Sequence, residues 1–253
     1  LSLVTRSLVS LEAERGERGE AQTGFTLRYY RELFRDTTGS IFYVPPAVAV
    51  RNSVLYAAAA MLIANMLGLI TSYALHFSGR LARWLEPVLI LPLGASAVTL
   101  GLGFVIVFRR APWDGVSFSI LIPFAHALVA LPLVVRTLLP ALRGIPDSLR
   151  QAASTLGAGW ARVFREVDLP LLLRPLLVCM VFAFTISLGE FGASSFLSTG
   201  RNPTIPVAIY RYISQPGALN YGQALAMSTI LLVVCALGSL AIEKARLPGE
   251  ELF

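Results

Sequence analysis

Residues 151–170 read QAASTLGAGWARVFREVDLP, a polar segment with two arginines that lies between two apolar runs. Both apolar runs approach the length of a membrane span, since a hydrocarbon core of about 30 Å needs roughly 20 residues at about 1.5 Å rise each. A polar segment between two spans lies at one face of the membrane. The segment therefore predicts a docking surface on a membrane protein.

The composition of the chain indicates a membrane protein independently of this segment. Of the 253 residues, 55% are hydrophobic and only 14% are charged, and the mean hydropathy is +0.68. A soluble domain with this composition would expose far more apolar surface than its polar residues could offset. The composition therefore places the chain in lipid.

Five apolar runs of spanning length predict an all-α, polytopic membrane protein with about five transmembrane helices. The third run contains Pro123 and Pro132, which predict kinks because proline removes a helical hydrogen bond. We expect a membrane domain over residues 49–245 and a tail over residues 246–253. The five runs cover residues 53–75, 85–108, 118–139, 171–188 and 221–242.

The amino-terminal region, residues 1–48, differs from the rest because it is mostly polar. It opens with LSLVTRSLV over residues 1–9, which is too short to span but resembles the last turns of a transmembrane helix. We expect a sixth helix, truncated at this end, followed by a polar extracytoplasmic connection or short surface helix. The alternative is an ordinary polar tail.

The polar segment itself has the start and stop signals of two short helices. Asp147 favours a helix start because its carboxylate suits free amides and the helix dipole. This first helix should reach about Leu156, where Gly157 fits a left-handed helix stop. We expect a second helix that carries Trp160, Val163 and Phe164 and ends near Leu169 and Pro170.

The spacing of this segment resembles the EAA loop of permease subunits in binding-protein-dependent ABC importers, which have the MetI-like fold. The chain has Gln151 where glutamate is usual and Val167 where isoleucine is usual. The resemblance implies that the loop, residues 141–171, fits a cleft on a separate ATP-binding subunit and couples to it. The implied coupling residues are Gln151, Ala152, Ala153, Gly157, Trp160, Val167, Leu169 and Pro170.

A second interpretation of the loop requires no partner protein. An amphipathic hairpin at the membrane surface would place Trp160 and Phe164 among the lipid headgroups, with its arginines on the phosphates. The residues by themselves leave both interpretations open. The small side chains of Ala152 and Ala153 favour close approach of a partner.

Glu190 lies toward the far end of the fourth predicted span, between Gly189 and Gly192. A carboxylate inside a membrane is expensive unless it is paired or hydrated. These three residues are candidates for the translocation path or its outer gate, and the alternative is a helix-end glutamate that reaches the headgroups. The surrounding residues 187–193, SLGEFGA, resemble permeases for iron, thiamine, molybdate and sulfate.

Two later segments bear on the transported solute. Residues 203–210, PTIPVAIY, and residues 220–224, NYGQA, resemble the ferric-iron and thiamine branch of these permeases. The resemblance implies ferric iron or thiamine as the solute, with molybdate or sulfate as alternatives. It also implies that the chain is the C-terminal half of a fused double-length permease.

Several other functions find no support in the sequence. Lys244 is the only lysine and follows no glycine-rich loop, so ATP hydrolysis and other enzyme activity are not expected in this chain. Cys179 and Cys235 both fall in apolar helices, and we expect no metal site and no cofactor. The net charge of +6 is scattered over the loops, which does not indicate nucleic-acid binding.

The distribution of basic residues predicts the orientation, since short loops rich in arginine and lysine are retained in the cytoplasm. Placing the loop through Arg174 and the C-terminus inside puts nine basic residues inside and four in the outer loops. Seven more would lie outside before the first span, in a long segment that also has six acids and where the rule counts for less. The nine are Arg80, Arg83, Arg143, Arg150, Arg162, Arg165, Arg174, Lys244 and Arg246, and the four are Arg109, Arg110, Arg201 and Arg211. We therefore expect a multi-pass protein of the bacterial or archaeal inner membrane.

The resemblance implies further partners besides the lipid bilayer. They are a dimer of ATP-binding cassette subunits, a second permease half that is identical or fused, and an extracytoplasmic solute-binding protein. Two different classes remain as alternatives. One is a secondary transporter driven by an ion gradient, in which Glu190, His126 and Arg136 would form a relay, and the other is a membrane scaffold without a transport path.

Overall fold

A computed structural model describes residues 2–9, 25–34, 46–78, 96–110, 117–199 and 202–244, with isolated positions at 84, 87, 88, 94 and 112. Within these residues the regular secondary structure is helical, apart from one isolated bridge between Val9 and Phe25, which confirms the all-α prediction. The helices are α1 Ser2–Ser7, α2 Arg28–Leu33, α3 Pro46–Phe77, α4 Ala97–Phe108, α5 Phe118–Arg143, α6 Asp147–Thr155, α7 Trp160–Val163, α8 Leu169–Gly189, α9 Gly192–Leu197, α10 Ile205–Ile213 and α11 Ala218–Lys244.

Four helical segments of the described chain are long and apolar enough to cross a membrane. They are Pro46–Phe77, Phe118–Arg143, Trp160–Gly189 and Ala218–Lys244, and they confirm the first, third, fourth and fifth predicted spans. Of the second predicted span, residues 85–108, the continuously described part is α4, an apolar helix of 12 residues. Most of the remainder, like residues 10–24, 35–45 and the tail 246–253, lies outside the described residues.

The centre of the fold is a three-helix contact between α3, α5 and α8. Helix α5 is the most enclosed of the spans, with 56% of its apolar stretch buried against 17% for α11. Ala60 and Ala64 of α3 meet Ala127 and Ala130 of α5 in the core, and these small side chains let the helix backbones approach closely. Leu172, near the start of α8, belongs to the same core cluster.

Part of the predicted polar connection packs against the membrane domain. Tyr29 and Leu33 of α2 are 1% and 0% exposed and pack against α10 and α11. The Tyr29 ring covers Gly222, where an added Cβ would lie 2.2 Å from it. Residues 28–33 thus form a short helix with one buried face, and the extracytoplasmic position of the connection stays a prediction. Tyr29 and Leu33 are four residues apart and share one apolar helix face, which α2 buries.

Candidate functional site

Helix α6 forms the exposed end of the loop between α5 and α8. It follows Pro146, and Asp147 lies in its first turn, where a carboxylate favours the helix dipole. None of the nine described residues of α6 is buried. Gln151 and Ala152 are exposed, while Ala153 is half-buried. The helix therefore lies on the surface of the bundle and leaves most of its side chains free to contact another molecule.

Gly157 ends α6 in the left-handed conformation that the sequence predicts, with φ of +83°. The amide of Gly157 donates to the carbonyl of Ser154 at 2.9 Å, and the amide of Ala158 donates to that of Ala153 at 3.0 Å. These two bonds are the Schellman pattern of helix termination, which satisfies carbonyls that the helix leaves free. The turn thereby fixes the direction in which the chain leaves α6.

The apolar side chains around the turn divide into an exposed and a packed group. Leu156 is 89% exposed and Trp160 is 73% exposed. Trp160 stacks on Phe164 with ring centroids 6.2 Å apart, and Phe164 in turn makes an edge contact with Tyr73 of α3 at 5.4 Å. Phe164 is thus packed against the bundle, so the lipid-hairpin interpretation retains Trp160 but not Phe164 as a headgroup residue.

The second short helix does not end near Leu169 and Pro170, and that prediction is wrong. A π-helical turn, Phe164–Asp168, joins α7 to α8 without a break, and the Leu169 amide donates to the Phe164 carbonyl five residues earlier. Pro170 directly follows this turn and has no amide to donate. The wide π-helical turn accommodates the proline within a continuous helix. Val167 and Leu169 are half-buried, and Leu169 packs against the core.

A partly buried network of hydrogen bonds and ion pairs connects α6 to the transmembrane helices. Arg150 Nε lies 2.9 Å from Asp168 Oδ1, and its Nη1 lies 2.8 Å from Asp147 Oδ1. Arg150 Nη2 donates to the carbonyl of Leu142 at the end of α5, at 3.4 Å. The Tyr73 hydroxyl of α3 donates to Asp168 Oδ2 at 2.7 Å. One arginine and one carboxylate thereby join α3, α5, α6 and the start of α8.

The sequence marks Arg150 only as a basic residue and does not single out Asp168 or Tyr73. A signal was present, because an aspartate next to Leu169-Pro170, where the chain enters the bilayer, needs a partner. The sequence does not identify that partner, since Tyr73 lies 95 residues away from Asp168.

Glu190 lies in a break between α8, which ends at Gly189, and α9. Its Oε1 accepts a hydrogen bond from the amide of Ala193 at 3.2 Å, so the carboxylate satisfies a free amide at the start of α9. A Cβ added at Gly192 would lie 2.9 Å from the Val98 amide nitrogen, which shows how closely α9 approaches α4. Glu190 thus has a local structural role besides the path or headgroup roles considered from the sequence.

His126 of α5 forms hydrogen bonds with residues on both sides of this break. Its Nδ1 lies 2.7 Å from the Ser187 hydroxyl of α8, and its Nε2 lies 2.8 Å from the Ser194 hydroxyl of α9. The side chain is buried, at 1% exposure. Both ring nitrogens are therefore used by serines rather than by Glu190. Arg136 is exposed and lies ten residues along α5, about 15 Å away, so the relay that a secondary transporter would need is not assembled here.

The described residues show no metal-ligand cluster of three or more His, Cys, Asp or Glu side chains. The two cysteines are free, with Cys179 buried in α8 and Cys235 half-buried in α11. The Cys179 thiol lies 3.8 Å from the Val134 carbonyl of α5, which is a packing contact of a small polarizable side chain.

The family model and the similar proteins that this chain matches all point to one family. Residues 64–244 match the family described as "Binding-protein-dependent transport system inner membrane component". The molybdenum transport system permease protein ModB of Escherichia coli K12 is 40% identical over 167 residues, or 60% of this chain and 73% of the relative. ModB of Mycobacterium tuberculosis is 35% identical over 209 residues, or 77% of each chain. A probable sulfate transport system permease protein, cysT of Anthoceros angustus, is 30% identical over 76% of this chain and 71% of the relative.

A solved structure supports the same fold. The crystal structure of a bacterial ABC transporter involved in the import of the acidic polysaccharide alginate aligns with a TM-score of 0.67, at 17% identity, over 89% of this chain and 86% of that one. The relatives named above do not specifically support the ferric-iron and thiamine branch. The family match includes α6, the Gly157 turn and all of α5, α8 and α11. The chain belongs to the binding-protein-dependent transport system inner membrane components, the permease subunits of ABC importers.

Proposed function

We propose that the loop 141–171 is the surface through which this permease contacts a separate ATP-binding subunit. The observation that carries the proposal is that α6 has none of its nine described residues buried, yet is held to the bundle by Arg150. A docking helix needs both an open face and a firm attachment. Gln151 and Ala152 provide the open face, and Leu156 and Trp160 add exposed apolar surface beside it.

In this proposal the chain is one half of a solute pathway. A second permease half, which is another copy, a different chain or a fused repeat, completes the pathway, and two ATP-binding subunits contact the loops from the cytoplasm. The excess of basic residues on the loop side and at residues 244–246 supports this orientation. A solute-binding protein delivers the solute from the opposite face, and closure of the ATP-binding subunits drives alternating access.

We further propose that the solute is a tetrahedral oxyanion of the molybdate and sulfate type. The support comes from the similar permeases, which are named for molybdenum and for sulfate. The test is uptake of radiolabelled molybdate and sulfate by the complete transporter, co-expressed in a host that lacks its own uptake systems. ATP-dependent uptake of either oxyanion supports the proposal. Uptake of ferric iron or thiamine, with neither oxyanion transported, contradicts it and restores the solute that residues 203–210 and 220–224 indicated.

The translocation role of Glu190, Gly189 and Gly192 stays a prediction that one substitution tests. Glu190→Gln keeps an oxygen that can accept from the Ala193 amide but removes the charge. A path or gate role predicts that uptake falls while the amount of assembled transporter is unchanged. Equal uptake by the unsubstituted protein and by Glu190→Gln would leave Glu190 with only its structural role at the start of α9.

A further inference from the structure

Each oxygen of the Asp168 carboxylate accepts a hydrogen bond from a different helix. Oδ1 accepts from Arg150 of α6 at 2.9 Å, and Oδ2 accepts from Tyr73 of α3 at 2.7 Å. The side chains of Arg150 and Asp168 are only 12% and 4% exposed. Charge-assisted bonds shielded from water are short and directional, and removing one partner leaves an uncompensated buried charge. This contact is therefore stiff.

The side chains of α6 attach it to the bundle mainly through Arg150. None of the nine described residues of α6 is buried, and Arg150 hydrogen-bonds to Asp168 and to the Leu142 carbonyl. The backbone also joins α6 to the core through Ile145, which is 7% exposed, and to α7 through the hydrogen-bonded turn at Gly157. A displacement of α6 thus reaches the bundle through these backbone connections or through the Arg150 side chain.

A second ion pair in the same loop provides an internal comparison. Arg162 Nε lies 3.0 Å from Glu166 Oε1, but both side chains are exposed, at 68% and 55%. The pair spans four residues of one helical segment and connects no separate elements. Exposed pairs of this kind contribute little. Arg150 and Arg162 therefore differ in what they join, although both are paired.

We propose that Arg150, Asp168 and Tyr73, here named the loop bracket, transmit displacement of α6 to α3 and α8 during ATP-driven transport. The inference rests on the proposed contact between the loop and the ATP-binding subunit. Arg150 is then a positioning residue. It makes α6 and the adjoining ends of α3 and α8 move as one body, so nucleotide-driven motion of the loop reaches the solute pathway.

The test measures a distance inside this chain and does not depend on knowing the solute. Spin labels are placed at Ser148 of α6 and Ile70 of α3, both exposed, in the complete transporter in nanodiscs. The label distance is compared without nucleotide and after trapping with ATP and vanadate. With the bracket intact the distance stays the same in both states. Arg162→Ala is the matched control and also leaves it the same.

In Arg150→Ala and in Tyr73→Phe we expect trapping to change this distance by about 2 Å or more, the scale of helix shifts in switching transitions. Tyr73→Phe removes one hydroxyl but keeps the ring contact with Phe164 and the pair between Arg150 and Asp168. It therefore tests the bracket even if Arg150→Ala does not assemble. Arg150→Lys retains a charge opposite Asp168 and should restore a nucleotide-independent distance.

Two results would overturn the inference. One is a nucleotide-independent distance in both Arg150→Ala and Tyr73→Phe, and the other is a nucleotide-dependent distance with the bracket intact. Crosslinking from Ala152→Cys to the ATP-binding subunit, performed in parallel, separates this failure from that of the proposed function. If that crosslink forms and the bracket substitutions change nothing, only the bracket is wrong. If it never forms, the coupling role of the loop fails and the bracket fails with it.

Discussion

The amide of Ala158 donates a hydrogen bond to the carbonyl of Ala153 across 3.0 Å, closing the end of α6 around Gly157. The bond requires the left-handed backbone of Gly157, whose φ is +83°. It sets the angle between α6 and the segment that carries Trp160. The geometry of the exposed loop thus depends on one residue without a side chain.

We expect Gly157→Ala to loosen the end of α6, because an L side chain in the left-handed region costs about 1–2 kcal/mol. Hydrogen exchange of the amides at residues 156–158 should accelerate by about 5–30-fold, the factor that such a free energy corresponds to. Gly159→Ala is the control, since Gly159 has φ of −74° and no atom within 4 Å of an added Cβ. Equal exchange rates in the two variants would contradict the strained turn.

The contact between α4 and α9 should be sensitive to a single methyl group. A Cβ at Gly101 would lie 2.7 Å from the Cα of Ala193, which is backbone and cannot rotate away. We expect Gly101→Ala to lower the free energy of unfolding by about 1–3 kcal/mol through overpacking. Unfolding by SDS in mixed micelles measures this change.

The matched control for that substitution lies in the same helix. An added Cβ at Gly103 meets no atom within 4 Å. Gly103→Ala should therefore leave stability unchanged or raise it by up to about 1 kcal/mol, because alanine favours helix more than glycine does. A loss of stability at Gly103 as large as that at Gly101 would show that steric contact with α9 is not the cause.

Removing the His126 ring should destabilise the break between α8 and α9. His126→Ala leaves the hydroxyls of Ser187 and Ser194 without their partner and opens a cavity in the core. We expect the free energy of unfolding to fall by about 2–4 kcal/mol. Ser195→Ala removes an exposed hydroxyl that bonds only within α9, to the Gly192 carbonyl, and should change stability by about 0.5 kcal/mol or less. Similar losses in both variants would contradict the bridging role of His126.

The features that could be predicted from sequence are those with a local physical signature. Apolar length identified four spanning helices, and the glycine after a short polar helix identified the left-handed stop at Gly157. Chain continuity at Leu169 and Pro170 was not predicted, because a proline ordinarily signals a helix boundary. The π-helical turn at Phe164–Asp168 accommodates it, and no residue type marks such a turn in advance.

The tertiary contacts of the loop required the structure. Asp168 is bound by Arg150, 18 residues earlier, and by Tyr73, 95 residues earlier, and no spacing rule connects these positions. The same holds for His126, whose serine partners lie 61 and 68 residues away. Burial of a ring with two polar atoms requires partners, but the sequence does not identify which residues they are.

The most direct test of the central claim is cysteine crosslinking from α6 to the ATP-binding subunit. The full chain carries Ala152→Cys with Cys179→Ala and Cys235→Ala and is co-expressed with its transporter partners, with and without nucleotide. Leu237→Cys, exposed on α11 and far along the chain from the loop, is the control. We predict a crosslink from position 152 that changes in yield with nucleotide, and none from position 237. No crosslink from a reactive cysteine at position 152, in a complex that still transports, would contradict the coupling role of the loop.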